Sequence, residues 1–251
     1  MRKIFGYARR PLLALLLVLI GAHLLVSCGA QPSQVALDAL KSDSRMDVEV
    51  TPNFTAFRPK LLEKEIRTGF IFYPGGLVDE RAYAPLCRAI AAEGFLVVIT
   101  PVPFQLAVLD PFAANFAIRG ENRFIRTWAI GGHSLGGAMA ARFVHQDSTA
   151  CKGLILYASY PDASNDLSKR SLPVLSISAS LDGLATPQTI EDNKKYLPIP
   201  PQTRYVVLEG GNHAQFGSYG KQNRDNDATM SYEEQQRRTA QETVQFLKAL
   251  R

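Results

Sequence analysis

The sequence predicts an α/β domain in which a mostly parallel sheet is covered by helices on both faces. Two observations carry this expectation. From Asp47 onward, short β-rich runs alternate with helical patterns, the order that parallel strands and their crossover helices require. The central runs, residues 69–73, 95–99 and 128–132 among them, are apolar or small throughout rather than alternately polar, as in strands buried on both sides. A chain of 251 residues with 46% apolar and 20% charged residues suits one such core and excludes a disordered or collagen-like chain.

Residues 48–50 and 54–57 are expected as antiparallel edge strands. The run 69–73 is the first buried strand, ended by Pro74, Gly75 and Gly76. Tyr83, Leu86, Cys87, Ile90 and Ala91 then recur at intervals of three and four, a helical stripe. Gly94 closes it at the usual C-terminal position, which makes Cys87 a core residue. Strand 95–99 stops at Thr100-Pro101-Val102-Pro103. Beyond it Phe104, Leu106, Leu109, Phe112 and Phe116 fall near helical spacing and either line an acyl pocket or join the core. Strand 128–132 runs into a helix from Leu135 to about His145. Strands 153–158, 173–178 and 205–209 follow, then a helix over about 231–250, where Ser231 and Glu234 fit a capping box. The segment between Ala158 and Pro173 is too short for an inserted lid domain, so an open site is expected. No internal repeat is visible.

The N-terminus has a different character. Arg2, Lys3, Arg9 and Arg10 precede an apolar stretch over residues 11–26, the pattern of an export signal. After residue 27 the chain carries 24 basic against 23 acidic groups, so four of the five net positive charges belong to the N-terminal segment. A nucleic-acid partner needs a basic stripe on the folded domain and is not expected. Three cysteines are too few for a disulfide scaffold. Leu25-Val26-Ser27-Cys28-Gly29 resembles a bacterial lipobox, which implies removal of residues 1–27 and lipidation of Cys28. A retained membrane anchor and simple cleavage are the other outcomes. In each case the domain works outside the cytoplasm, with residues 28–46 as a tether to a domain spanning 47–251 and, unless simply cleaved, with the membrane as a partner.

The chemistry centres on Gly132-His133-Ser134-Leu135-Gly136. A strand meets a helix there, and small residues on both sides let a central serine stand clear of the sheet, the pattern of a nucleophile elbow. Gly131 and Gly137 extend the small-residue run. No lysine follows, as a phosphate loop would require. A serine hydroxyl needs a base to accept its proton. Of four histidines, His23 lies in the export signal. His133 precedes the serine on a strand and so points to the other side, and His145 is about 16 Å along the helix. His213 remains, in the loop after the last strand, at the sheet edge where sites of parallel α/β folds gather. The carboxylate that orients this base is expected at a strand end between serine and histidine. Asp182 fits best and Asp162 is the runner-up. An oxyanion hole needs two backbone donors. These are the amide of Leu135 and one in the turn after the first buried strand, Gly76 or, as a substitute, Leu77.

Ser134, Asp182 and His213, in that order behind Tyr73-Pro74-Gly75-Gly76, resemble the α/β-hydrolase superfamily, and within it small lidless bacterial serine hydrolases related to dienelactone hydrolases. The resemblance covers about residues 69–235 and is most specific at residues 131–137, 157–161 and 210–220. It implies hydrolysis of an ester, thioester or amide through an acyl-enzyme. Dienelactone hydrolases proper use a cysteine where this chain has Ser134, so their substrate is not carried over. Tyr73-Pro74 also stands where many relatives have His-Gly. Asn212, Gln215, Phe216 and Tyr219 either touch substrate or brace the histidine loop. Metal-ligand spacing is absent, and no metal or cofactor is expected. The sequence therefore predicts a membrane-tethered, extracytoplasmic serine hydrolase of small carboxylic esters. Acyl transfer by the same triad and a non-catalytic binding lipoprotein are the alternatives.

Overall fold

The computed structural model describes residues 29–60, 65–120, 124–147 and 149–250. The export signal expected over residues 1–27 and the lipidation expected at Cys28 fall outside them. Eight strands form one sheet: β1 (Met46–Val50), β2 (Thr55–Pro59), β3 (Thr68–Tyr73), β4 (Leu96–Ile99), β5 (Thr127–His133), β6 (Gly153–Tyr157), β7 (Val174–Ala179) and β8 (Thr203–Leu208), in the order β1-β2-β4-β3-β5-β6-β7-β8. β2 runs antiparallel to both neighbours, β1 and β4, while every pair from β4 to β8 is parallel. All six residues of β3 are buried, as are all of β4, β6 and β7, which is the physical content of the apolar runs in the sequence.

Among the described residues six helices flank this sheet: α1 (Gln34–Asp38), α2 (Ala84–Ala91), α3 (Ala114–Arg119), α4 (Leu135–Gln146), α5 (Pro187–Asn193) and α6 (Tyr232–Ala249). Alternate side chains of each central strand feed two cores. Phe70 and Phe72 pack with residues of α2 and α6 on one face. Ile71 and Tyr73 pack with α3 and α4 on the other. Because β4, β3, β5, β6, β7 and β8 are consecutive and parallel, their C-terminal ends lie side by side along one edge. The candidate catalytic and oxyanion residues, Ser134, Leu135, Asp182, His213 and Gly76, sit at that edge. Between β6 and β7 the chain forms only one short 3-10 turn, Ala163–Asn165, so no lid is inserted there.

Three expectations are corrected. Residues 29–46 are not a free tether. Ala30 donates to the Leu77 carbonyl at 2.8 Å and accepts from the Asp79 amide at 3.0 Å, and Ser33 donates its amide to the Ser218 carbonyl at 2.7 Å. Ala36 of α1 is fully buried. Short polar residues here act as backbone ligands to the domain, a use that low hydropathy does not reveal. Only half of the capping box forms: Ser231 Oγ accepts from the Glu234 amide at 3.2 Å, but the Glu234 carboxylate turns outward to Arg237 at 2.7 and 2.8 Å. Finally, the aromatic run after β4 is neither core nor part of the pocket beside Ser134. Two 3-10 turns, Pro103–Gln105 and Ala107–Leu109, precede the short α3, so no helical stripe is made and Phe104, Leu109 and Phe116 are about half exposed, at 50, 55 and 53%.

Candidate active site

Ser134 stands at the junction of β5 and α4 with φ 52° and ψ −122°. This region costs a non-glycine residue about 1–3 kcal/mol and persists only where the surroundings over-determine it. Here they do. The Ser134 amide donates to the Tyr157 carbonyl at 3.0 Å, and the Ser159 hydroxyl donates to the Ser134 carbonyl at 2.7 Å. Gly136 is required by packing: a Cβ there would lie 2.3 Å from the carbonyl oxygens of both Tyr73 and Pro74. The bare backbone thus lets the start of α4 press against the turn after β3. Ser134 Oγ makes no hydrogen bond among the described residues, and its pocket, about 310 Å³, is lined by Leu135, Ala138, Ser159, Tyr160 and Leu184.

Asp182 and His213 come together from the ends of β7 and β8. His213 Nδ1 donates to Asp182 Oδ2 at 2.8 Å, and both side chains are almost wholly buried. Asp182 Oδ1 accepts the amides of Leu184 at 2.8 Å and Ala185 at 2.7 Å. A carboxylate only accepts, so the pair fixes the proton on Nδ1 and leaves Nε2 with a free lone pair. Nε2 has no hydrogen bond, yet it is not among the enclosed polar atoms that lack a partner, so it opens to the cleft. No hydrogen bond joins it to Ser134 Oγ, a contact that in unliganded enzymes often tightens only with substrate. Asp162 instead caps its own turn, accepting from the amides and side chains of Ser164 and Asn165. The Ser164 hydroxyl holds its pKa below the usual carboxylate range.

The turn after β3 resolves which amide is available. The Gly75 N–H is taken by Tyr83 Oη at 3.0 Å, and the Leu77 N–H by the Gln105 carbonyl at 2.8 Å. The Gly76 amide between them has no acceptor among the described residues, nor has that of Leu135 at the first position of α4. The two lie across from each other, since a Cβ on Gly76 would meet Leu135 Cδ2 at 3.0 Å. The helix N-terminus adds its partial positive charge at the same point.

His133 points away from α4, as strand alternation requires, but it is not remote from the site. Its ring centroid lies 4.3 Å from that of His213, because the loop after β8 folds over the end of β5 on this side. Tyr83 Oη accepts from the Gly75 amide and is hydrogen-bonded to His133 Nδ1 at 2.9 Å. Burial, and next the neighbouring His213, hold the His133 pKa well below that of a free histidine. The ring is therefore neutral, and Nε2 is the nitrogen that Tyr83 does not meet. That atom makes no hydrogen bond of good geometry, although the His213 backbone nearby favours its protonated form.

Two supporting residues escaped sequence reasoning. Asp225 accepts the Gly183 amide on Oδ1 at 3.0 Å and the Ala214 amide on Oδ2 at 2.8 Å, so one carboxylate ties the residue after Asp182 to the residue after His213. Gln235 of α6, fully buried, grips Asn212 through both its amide at 3.0 Å and its carbonyl at 2.8 Å. Asn212 in turn accepts from the Gln215 amide at 3.1 Å and donates to the Asn226 carbonyl at 2.7 Å, while Phe216 stacks on Tyr157. These residues brace the histidine loop. Only the spacing of buried Gln235, Thr239 and Thr243 along α6, a polar stripe at intervals of four, could have signalled the contact from α6. The described residues contain no cluster of three or more His, Cys, Asp or Glu suited to a metal ion and no helix long and apolar enough to cross a membrane.

Comparison with solved structures finds the same fold in proteins of low identity. TT1662 from Thermus thermophilus matches with a TM-score of 0.59 at 15% identity, over 82% of this chain and 98% of that one. A predicted CIB-like hydrolase from Thermoplasma acidophilum matches at 0.55 and 16%, over 80% and 98%. Est1E from Butyrivibrio proteoclasticus matches at 0.56 and 13%, over 82% and 100%. No curated protein matches the sequence. The model of the alpha/beta hydrolase family matches residues 69–237, a span from β3 into α6 that contains every candidate catalytic residue, and the chain belongs to that family.

Proposed function

We propose that this hydrolase cleaves carboxylic esters through an acyl-enzyme on Ser134. The observation that carries the reading is the buried His213–Asp182 pair at 2.8 Å, with Nε2 turned away from the carboxylate at the edge of the sheet that also holds Ser134. Ser134 Oγ attacks the ester carbonyl carbon while its proton passes to His213 Nε2. Asp182 stabilises the imidazolium that forms. The carbonyl oxygen becomes an oxyanion held by the free amides of Leu135 and Gly76, each such donor being worth about 10²–10³ in rate. Collapse of the intermediate expels the alcohol, which takes the proton from His213. A water then attacks the acyl carbon with His213 as its base, and the carboxylic acid leaves as Ser134 recovers its proton.

The pocket of about 310 Å³ is at the small end for ligand sites and suits a short acyl group. The test is turnover of p-nitrophenyl acetate. Native protein is expected to hydrolyse it, and Ser134→Ala to lose at least about 10⁴-fold in kcat with unchanged Tm. Equal turnover by the alanine variant would remove Ser134 from the mechanism.

A further inference from the structure

Six of the twelve large hydrophobic side chains exposed among the described residues lie along one stretch of the active-site edge: Leu77, Phe104, Val108, Leu109, Phe112 and Phe116. The segment that supplies five of them, residues 101–118, contains a single charged residue, Asp110. It follows the C-terminal end of β4, two strands from the end of β5, so the patch begins about 10 Å from Ser134. The backbone is strained where the patch meets the oxyanion turn. Leu77, Phe104 and Gln105 all have positive φ, at 56, 53 and 58°. This is an uncommon conformation for bulky side chains, and a cluster of it points to a functional constraint.

The first described residues emerge at the same place. Gly29 is packed so closely that a Cβ would lie 1.9 Å from Gln105 Oε1 and 3.2 Å from the Leu77 carbonyl oxygen. Ala30 is fixed on the other side of it by its hydrogen bonds to Leu77 and Asp79. In the sequence Cys28 directly precedes Gly29, and only Ser27 separates it from the apolar stretch of residues 11–26. An anchor entering here brings this edge, and no other, down onto a bilayer. An exposed apolar patch held this close to a bilayer enters the interfacial region and buries its apolar area there.

We propose that the face formed by Leu77, Phe104, Val108 and Leu109 docks on the lipid bilayer beside the N-terminal anchor, so that the pocket at Ser134 opens at the membrane surface and takes esters whose lipophilic part stays in the bilayer. The docking rests on residues 1–28 holding the chain at a membrane, and the substrate class on the ester hydrolysis proposed above. A short acyl group enters the pocket while the lipophilic alcohol remains among the acyl chains.

The test uses the full chain reconstituted in phosphatidylethanolamine–phosphatidylglycerol vesicles, a fraction of whose lipids carry brominated acyl chains. Phe104→Trp reports on the patch. Ile199→Trp, 77% exposed in the loop before β8 at the opposite edge, is the control. The unsubstituted chain, whose one tryptophan, Trp128, is buried near the start of β5, gives the background. Docking predicts about two-fold quenching at position 104 and none at 199. Equal emission at both positions in chains that float with the vesicles overturns docking and leaves the anchor standing. A chain that does not float overturns both. Emission at 104 that is already shielded without vesicles and indifferent to bromine assigns the face to a second copy of the chain, which also overturns docking.

The substrate class is read separately with two acetates, hexadecyl acetate in the vesicles and p-nitrophenyl acetate in water, which give the same acyl-enzyme. Val108→Glu with Leu109→Glu is expected to lower turnover of the first about tenfold and to leave the second within the error of the assay. An equal effect on both esters overturns the substrate class. Loss of both in native protein overturns the esterase reading and the substrate class with it, while quenching still decides docking.

Discussion

At the scale of single residues, the site depends on side chains whose surroundings leave them one remaining partner. Asp182 spends Oδ1 on two backbone amides and Oδ2 on His213, so the imidazole is held in one tautomer and its Nε2 is the only part left to react. Asp162 has the same chemistry but is consumed by its own turn. Asp182→Ala is thus expected to lower kcat about 10⁴-fold, and Asp162→Ala to leave it within about tenfold of native, since it loses only a turn cap. Kinetics on the two purified variants would decide; the reverse ranking would move the acid to the end of β6. That Ser134, Asp182 and His213 lie at one edge of the sheet was legible in the sequence because each follows a recognisable strand, and strand ends are where a parallel sheet presents its chemistry. The position of His133 could not be found that way. Alternation gives the side of the strand on which it lies but says nothing of a loop from β8 that folds over the same side.

At the scale of elements, the loops after β7 and β8 act as one unit because Asp225 bridges them. The amides it holds belong to Gly183 and Ala214, the immediate neighbours of Asp182 and His213. Removing it frees both loops without touching either catalytic side chain. Asp225→Ala is expected to reduce kcat about 10²-fold, the cost of an ångström-scale misplacement, while Asp225→Asn, which keeps one acceptor oxygen, falls between. Measurement of kcat with circular dichroism on the same samples separates lost alignment from lost folding; unchanged kcat in the alanine variant would make Asp225 a surface turn residue only. Asp225 and Gln235 were not legible because their partners are backbone amides far away in sequence, and backbone amides carry no residue-type signature. β3 to β8 were legible because burial on both faces forces apolar side chains at consecutive positions. The helical reading of residues 104–116 failed where periodicity is weakest: the apolar residues recur at nearly the right interval, but Pro111, in the middle of the stretch, interrupts the hydrogen-bond ladder a long helix would need.

At the scale of the molecule, one edge of one sheet gathers the free serine, the paired histidine, the two unoccupied amides, the exposed apolar patch and the point where the N-terminal segment enters. The gathering follows from topology. Parallel strands send all their outgoing loops to the same side, and residues 29–33 are pinned onto the loops after β3 and β8 rather than trailing free. The proposed anchor, the proposed docking face and the pocket thereby share one rim. The measurement that tests the central claim most directly is modification by an active-site fluorophosphonate followed by peptide mass spectrometry. The account predicts a single phosphonylated peptide carrying the label on Ser134, with labelling abolished in Ser134→Ala and strongly slowed in His213→Ala. A folded native protein that takes no label, or takes it on a different serine, would contradict it.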